Sequence, residues 1–316
     1  MAVLVTGASG FVGTQLLGRL EGCDIVCLGR GKPALYDQLP FFEASIDSND
    51  DYSAALKDVS VIIHLAARVH IMEDTSIDPL EEYREVNTYG TMNLAKQAAK
   101  AGAKRFIFIS SIKSNGESTK SEQCFKHDDP RAPEDFYGQS KSEAEEQLMQ
   151  FAKETGLEVV IIRPTLVYGQ GVKANFAALM NLVSKGIPLP FGCINDNRRS
   201  LVSVANLVDL IVTCIDHPKA ANQTFLVSDD HDVSTSEMVS QMAKALEKPQ
   251  WQLPVPKWCY KLAGKAFSKQ EMVDRLLGSL QVDITHTKET LDWTPPQSLE
   301  QGFKQTAQAL MQSKKK

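Results

Sequence analysis

Residues 2–13 read AVLVTGASGFVG, and this stretch decides the fold. AVLV (2–5) is an apolar run of the kind that forms a strand covered on both faces. TGASGFVG then sets Gly7, Gly10 and Gly13 where that strand gives way to a segment of helical period, 11–20. Such a junction needs a residue tolerant of unusual dihedrals, backbone that a pyrophosphate can approach, and close helix–strand packing. The helix N-terminus adds free N–H groups and the positive end of its dipole. A glycine triplet alone is weak evidence, since an incidental glycine turn looks the same. Its place at a strand-to-helix junction makes Gly7, Gly10, Phe11, Val12 and Gly13 candidate cofactor contacts.

The same texture continues outward. DIVCL (24–28), VIIHL (61–65), RFIFI (105–109) and VVII (159–162) are short, nearly all-apolar runs, with helix candidates at 51–57, 80–101 and 137–155 between them. This alternation predicts an α/β fold, a Rossmann-type doubly wound parallel sheet with right-handed crossovers. Past residue 164 the pattern changes: a helix near 175–185, a Pro/Gly-rich GIPLPFG, a helix at 204–216, a strand TFLV (224–227), a helix at 234–246 behind the cap STSE, and a last helix at 298–312. No clean linker separates the parts. The expected division is a dinucleotide-binding unit of residues 1–165 plus about 201–230. A smaller, interleaved C-terminal substrate unit takes 166–200 and 231–312. The tail Lys314–Lys316 reads as solvated.

With 316 residues the chain has about two domains' worth of length and needs no disulfide or metal staple. Lys+Arg 34 against Asp+Glu 39 gives a net charge of -5, which argues against a nucleic-acid partner. No apolar run approaches the ~20 residues of a membrane span. The opening MAVLVTGASG has no basic leader, so the chain is expected to be cytoplasmic, with no membrane partner. The six cysteines are scattered without CxxC spacing and read as reduced thiols; no metal is expected.

The second strand ends CLGRG, where Gly29 and Arg30 replace the acidic residue that usually meets the ribose hydroxyls of NAD. Arg30 can hold a 2′-phosphate, which favours NADP(H), with NAD(H) the alternative. Asp47, after a short possible strand EASI, either meets the adenine or caps the next helix. Within FYGQSK, Tyr137 and Lys141 are four apart and share a helix face. Tyrosine, with a pKa near ~10, is a poor base at neutral pH; a neighbouring ammonium is expected to lower that pKa. Tyr137 is then expected to accept a proton from a substrate hydroxyl, or return one to a ketone. Ser111, at the C-terminal end of a parallel strand, is placed to hydrogen-bond the same oxygen.

These residues carry a family resemblance. TGASGFVG, HLAA (64–67), EVNTYGTMNL (85–94), FISSIKSNGE (108–117), YGQSK (137–141), IIRPTLVYGQG (161–171), RRSLVSVANLVDLI (198–211) and LDWTPPQSLEQGF (291–303) together resemble extended short-chain dehydrogenase/reductases of the NAD-dependent epimerase/dehydratase family. The likeness implies a UDP-sugar substrate, with Tyr137 as acid/base, Lys141 activating it and Ser111 orienting the substrate oxygen. It puts Leu65, Ala66, Ala67 and Pro164 against the cofactor and makes Asn87 a brace of the active site. Lys113 and Asn115 fall beside the substrate, and Asn175, Arg199 and Arg275 fall near its diphosphate. Arginine suits that task through its planar fork, although a surface ion pair is the plainer reading for each.

Two departures matter. UDP-galactose 4-epimerases usually have a Ser/Thr-rich stretch ending VYG where this chain has SSIKSNGE, and usually keep an acid after the second strand. HLAARVHIM with SSIKSNGE looks more like a bacterial O-antigen branch that reduces UDP-4-keto-6-deoxy-N-acetylhexosamine, whose members are often labelled UDP-glucose 4-epimerase. The leading expectation is therefore a 4-keto reductase in surface-polysaccharide precursor synthesis, the alternative a UDP-hexose or UDP-N-acetylhexosamine 4-epimerase with retained NAD, and the remote alternative a non-catalytic dinucleotide sensor. A dehydratase lacks its acidic pair, because Ile112, Lys113 and Ser114 follow Ser111. Relatives commonly dimerise through two helices, here 80–101 and 137–155, so a homodimer is expected.

Overall fold

Each apolar run becomes a parallel strand. A computed structural model describes residues 1–69, 78–120, 123–172 and 174–313; the side chains of 174, 175 and 313 are not among what it describes. The tail Lys314–Lys316 and most of the 70–80 loop lie outside the described residues. In chain order the first half runs β1 (Ala2–Thr6), α1 (Phe11–Leu17), β2 (Asp24–Gly29), β3 (Phe41–Glu43), β4 (Val61–His64), α2 (Pro79–Arg84), α3 (Thr91–Lys100), β5 (Arg105–Ile109), α4 (Phe136–Thr155) and β6 (Glu158–Pro164). The second half adds β7 (Leu166–Tyr168), α5 (Ala174–Val183), β8 (Arg199–Ser203), α6 (Val204–Thr213), β9 (Gln223–Val227), β10 (Asp232–Val233), α7 (Thr235–Ala245), α8 (Lys257–Ala266), α9 (Gln270–Leu277), α10 (Thr285–Leu291) and α11 (Leu299–Ser313).

Seven strands form one sheet in the order β3-β2-β1-β4-β5-β6-β9, every pairing parallel. The strand order reverses between β1 and β4, which opens a crevice beyond their C-terminal ends. Alternate residues serve opposite layers. Val3, Val5, Val61, Ile63 and Ile107 pack beneath α1 and α6. Leu4, Ile62, Phe106, Phe108 and Ile161 pack against α3 and α4. Period-two alternation with apolar residues on both faces is what reads in sequence as a continuous apolar run. A three-stranded sheet, β10-β8-β7, carries a separate core in which Tyr168, Phe176 and Phe303 stack among α5, α7 and α11.

Several local expectations change. Residues 51–57 form turns instead of a helix, because the buried Tyr52 hydroxyl donates to the Ser45 and Asp47 carbonyls and its backbone N–H to Gln97. The strand expected at EASI lies two residues earlier, as β3. The helix expected at 80–101 is α2 and α3 joined by a π-helical turn, Glu85–Gly90. Gly90 there presses on the Asp47 backbone, where a Cβ would fall 2.8 Å from its nitrogen.

Polar residues enter the buried strands at the crevice. Thr6 and His64 are fully buried neighbours on β1 and β4. The Ala66 N–H donates to Thr6 Oγ1 (3.2 Å), and Thr6 Oγ1 lies 2.7 Å from His64 Nδ1. On the other side His64 Nε2 lies 2.9 Å from Thr91 Oγ1, which spends its own proton on the Asn87 carbonyl at 2.8 Å. Thr91 therefore accepts from Nε2–H, and Nδ1 accepts from Thr6. Burial, and then the Lys141 charge, hold the imidazole pKa well below its usual range. Folded His64 stays neutral while the unfolded chain's histidine takes a proton near pH ~6.5. The unfolded state thus binds more protons, and stability falls as pH drops through that value. For this group the expected slope is about 1.4 kcal/mol per pH unit below pH ~6.5, checked by urea unfolding between pH 7.5 and 5.5.

Candidate active site

The cofactor edge of the crevice is made of backbone pressed against backbone. Gly7 has φ +69°, and a Cβ there would fall 2.8 Å from the Ala66 nitrogen and 2.9 Å from the Leu65 carbonyl carbon. At Gly13 a Cβ would fall 2.3 Å from the Gly7 oxygen. These contacts exclude side chains, so the turn, α1 and the end of β4 close up together. Gly10 N-caps α1 without a side-chain hydrogen bond, which leaves its first-turn N–H groups open to an anion. Phe11 and Val12 are half-buried on the core and bring backbone to that turn. This cradle fits a dinucleotide pyrophosphate.

Farther along, Arg30 follows β2, exposed, and makes no hydrogen bond or ion pair among the described residues. Asp47 Oδ1 accepts from the Asn49 and Asp50 N–H groups, both at 2.9 Å, in a turn that leads into no helix. Leu65 and Ala66 continue β4 through hydrogen bonds to the Thr6 carbonyl and hydroxyl, and Ala67 follows, half-buried. Pro164 ends β6, buried and paired with Val227.

The second wall is the start of α4. Asp135 caps that helix, its Oδ1 accepting from the Gly138 N–H at 2.7 Å. Tyr137, half-buried, lies in the first turn and meets the Tyr83 ring edge-on with centroids 6.4 Å apart. One turn on, Lys141 is buried, donates from Nζ to the Ile109 carbonyl at 2.8 Å and lies 4.3 Å from the Phe108 ring centre. Another turn on, fully buried Glu145 accepts from Arg163 Nε (3.0 Å) and Nη2 (2.5 Å) and from the Ser110 hydroxyl. Arg163 Nη1 also donates to Asn115 at 2.9 Å, which fastens the end of β6 to the turn after Ser111. The i, i+4, i+8 spacing of Tyr137, Lys141 and Glu145 on one face was the available signal for Glu145, which the sequence reading passed over.

Protonation differs from the sequence expectation. Burial first, then the charge of Asp135, push the Tyr137 phenol up to about 12, against the pull of a hydrogen bond with Ser111. Lys141 does not lower it. Its Nζ is committed to a backbone carbonyl, and burial brings its own pKa down to about 7 despite Glu145. A lysine poised there can hold or release a proton at little cost near neutral pH.

Asn87 sits fully buried in the π-helical turn. Its Nδ2 donates to the Arg68 carbonyl and to Ser140 Oγ, both at 3.0 Å, and its Oδ1 accepts from the Arg68 N–H at 2.9 Å. Ser140 in turn donates to the Tyr137 carbonyl at 2.9 Å, so Asn87 is tied through Ser140 to the first turn of α4. Lys113 is not left facing an open site: Nζ pairs with Asp135 and, at 2.6 Å, with Glu117. Its carbonyl rests on α4 where a Cβ on Gly138 would come within 2.7 Å.

Glu117 faces Arg275 at 3.6 Å, and the Arg275 carbonyl accepts from Arg199 Nη1 at 2.9 Å. The structure thus brings Arg199 and Arg275 together. Burial first and then Arg275 push the Arg199 pKa down, so an anion between the two guanidiniums relieves an existing cost. The Asn175 side chain lies outside the described residues.

Residues 3–228 match the model of the NAD dependent epimerase/dehydratase family. A Vibrio cholerae protein named UDP-glucose 4-epimerase is 62% identical over 315 residues, 99% of this chain and 96% of that protein. The UDP-glucose 4-epimerase of Thermotoga maritima, solved with UDP-glucose, superposes with a TM-score of 0.79 at 23% identity over 99% of each chain. The UDP-glucuronic acid 4-epimerase of Bacillus cereus, solved with NAD, superposes at 0.78 and 21% identity, again over 99% of each. At these identities the two structures share the fold.

Asp135 acts on the phenol directly, and Lys113 only through its ion pair with Asp135. Asp135→Asn keeps an oxygen for the helix cap but removes the charge that raises Tyr137. Its pH profile of kcat is expected to rise at lower pH than that of the unchanged protein. Lys113→Met uncovers Asp135 and is expected to move the same limb to higher pH. Identical limbs in all three proteins would sink this account.

Proposed function

The chain belongs to the NAD-dependent epimerase/dehydratase family, and from that premise we propose that this enzyme interconverts C4 epimers of a UDP-linked hexose or acetamido-hexose with NAD(H) retained through turnover. The observation that carries the reading is the 62% identity, across 99% of the chain, to a protein named UDP-glucose 4-epimerase. That identity supports the epimerase alternative over the 4-keto reductase favoured by Gly29–Arg30. The NADP(H) preference drawn from Arg30 gains no support from the comparisons. NAD(H) is supported by the NAD-dependent family and by the NAD held in the Bacillus cereus structure.

In this reading the Gly7–Gly13 turn and the Leu65–Ala67 strand end hold the dinucleotide, and the Arg199–Arg275 pair holds the sugar diphosphate. The chemistry that a bound nicotinamide supplies is reversible hydride transfer at the sugar C4. As the phenolate, which the positive charge of a bound oxidised nicotinamide would favour against the raised pKa, Tyr137 takes the C4 hydroxyl proton at its phenol oxygen, and Ser111 hydrogen-bonds the same atom. Lys141, with its pKa brought to about 7, lies one turn behind to hold or pass on a proton. Anchoring through the diphosphate leaves the sugar ring free to turn over and recover its hydrogen on the other face.

The test uses the purified protein with no added cofactor. UDP-glucose, and in parallel UDP-N-acetylglucosamine, is followed by proton NMR for the C4 epimer, and gently denatured protein is assayed for released nucleotide. Epimer formation with stoichiometric NAD+ or NADH is expected. No interconversion, with NADPH oxidation on a 4-keto sugar, would restore the reductase. Tyr137→Phe is expected to lose about 10²–10⁴-fold in turnover with its melting temperature unchanged. An undiminished rate in that variant would remove Tyr137 from the chemistry.

A further inference from the structure

Helices α8 and α9 turn their apolar residues the wrong way for a globular protein. Between 257 and 275 only Gly264 and Val273 are buried, and they pack on each other: a Cβ on Gly264 would fall 2.8 Å from Val273 Cγ2. The large apolar side chains point outward, with Trp258 62%, Leu262 58%, Phe267 73% and Met272 58% exposed. Such a cluster on a soluble chain marks an interaction surface.

The charge of α8 and the turn after it is one-sided, while the acidic residues of the hairpin, Glu271 and Asp274, lie on α9. Residues 257–269, KWCYKLAGKAFSK, hold Lys257, Lys261, Lys265 and Lys269 without one acidic residue, in a chain of net charge -5. Lys257 pairs with Asp196, while the side chains of Lys261, Lys265 and Lys269 make no ion pair or hydrogen bond among the described residues. Lys257, Lys261 and Lys265 are spaced i, i+4, i+8 on α8 and run beside the Trp258–Leu262 stripe. Tryptophan and phenylalanine beside unpaired lysines suit a layer that is apolar below and anionic above, with lysine stems reaching up to the headgroups.

The geometry points to the α8–α9 hairpin as a docking surface for an anionic phospholipid membrane. A membrane surface asks for no shape complementarity and no hydrogen-bonding partners. No described helix is long and apolar enough to cross a membrane, and surface docking requires none. Because α9 also carries Arg275, docking would set the candidate diphosphate site beside the lipid surface. Docking of this face is independent of which C4 chemistry the enzyme performs.

Sucrose-loaded vesicles of phosphatidylcholine alone, or with 30% phosphatidylglycerol, test the proposal by co-sedimentation of the full chain. Binding to the anionic vesicles is expected, weakening in 0.5 M salt as screening shortens the reach of the charges. The triple variants Lys261→Glu/Lys265→Glu/Lys269→Glu and Trp258→Ser/Leu262→Ser/Phe267→Ser are each expected to reduce partitioning at least tenfold. Turnover of soluble UDP-sugar and the melting temperature should stay unchanged in both, which separates this test from that of the epimerase reading. No pelleting with anionic vesicles, or equal pelleting of variants and unchanged protein, overturns the proposal. So does light scattering in which the serine variant turns a dimer into a monomer, since the face then belongs to a second copy of the chain.

Discussion

A hydroxyl–imidazole–hydroxyl chain, Thr6–His64–Thr91, is the constraint on which the rest of the site depends. It starts at the Ala66 N–H beside the glycine turn and ends at the Asn87 carbonyl, in the π-helical turn that packs against α4. Every donor along it has one acceptor, so its direction is set and only a neutral imidazole fits. Removing one member leaves a buried group unpaired, which costs roughly 1–3 kcal/mol and loosens both walls of the crevice together. From Asn87 the same logic runs through Ser140 to the Tyr137 carbonyl. The cofactor edge and the proton-transfer edge are thereby held in one buried polar frame.

A second set of contacts ties the crevice to the smaller sheet. Glu145 and Arg163 form a buried pair that also holds Ser110 and Asn115. A buried ion pair adds little net stability over apolar packing, but breaking one leaves an uncompensated charge. Its effect is therefore on geometry: it pins the turn that carries Ser111. From that turn, Lys113 and Glu117 pass charge contacts outward to Arg275 and so to the partner of Arg199. The phenol and the candidate diphosphate site thus share a line of alternating charges, although Lys113 and Arg275 are 162 positions apart in the chain.

The sheet was legible because its strands are buried on both faces. AVLV, VIIHL and RFIFI cannot be solvated on either side, and a glycine turn after the first of them admits few arrangements. Gly7, Gly13, Tyr137, Lys141 and Asn87 stand where motif spacing puts them, because their geometry is local to one junction or one helix face. Helices α8, α9 and α10 were not anticipated; in α8 and α9 the outward apolar face breaks the periodicity that signals a packed helix. Residues 51–57 show the reverse failure, since a helical pattern lost to the long-range bonds of Tyr52 and Gln97.

The amino-acid sequence by itself determined the parallel sheet, the dinucleotide turn and the membership of a family, because these follow from short-range periodicity and from residue types that few backbones accept. Tertiary structure alone decided the protonation of the site. The spacing of Tyr137 and Lys141 promised an ammonium beside a phenol. Folding gave the Lys141 amine to the Ile109 carbonyl and set Asp135 near the phenol. Folding likewise turned Lys113 from an open charge into a clasp on the helix cap. The physical reason is that pKa depends on burial and on charges a few ångströms away, and those neighbours come from strands and turns far apart in the chain.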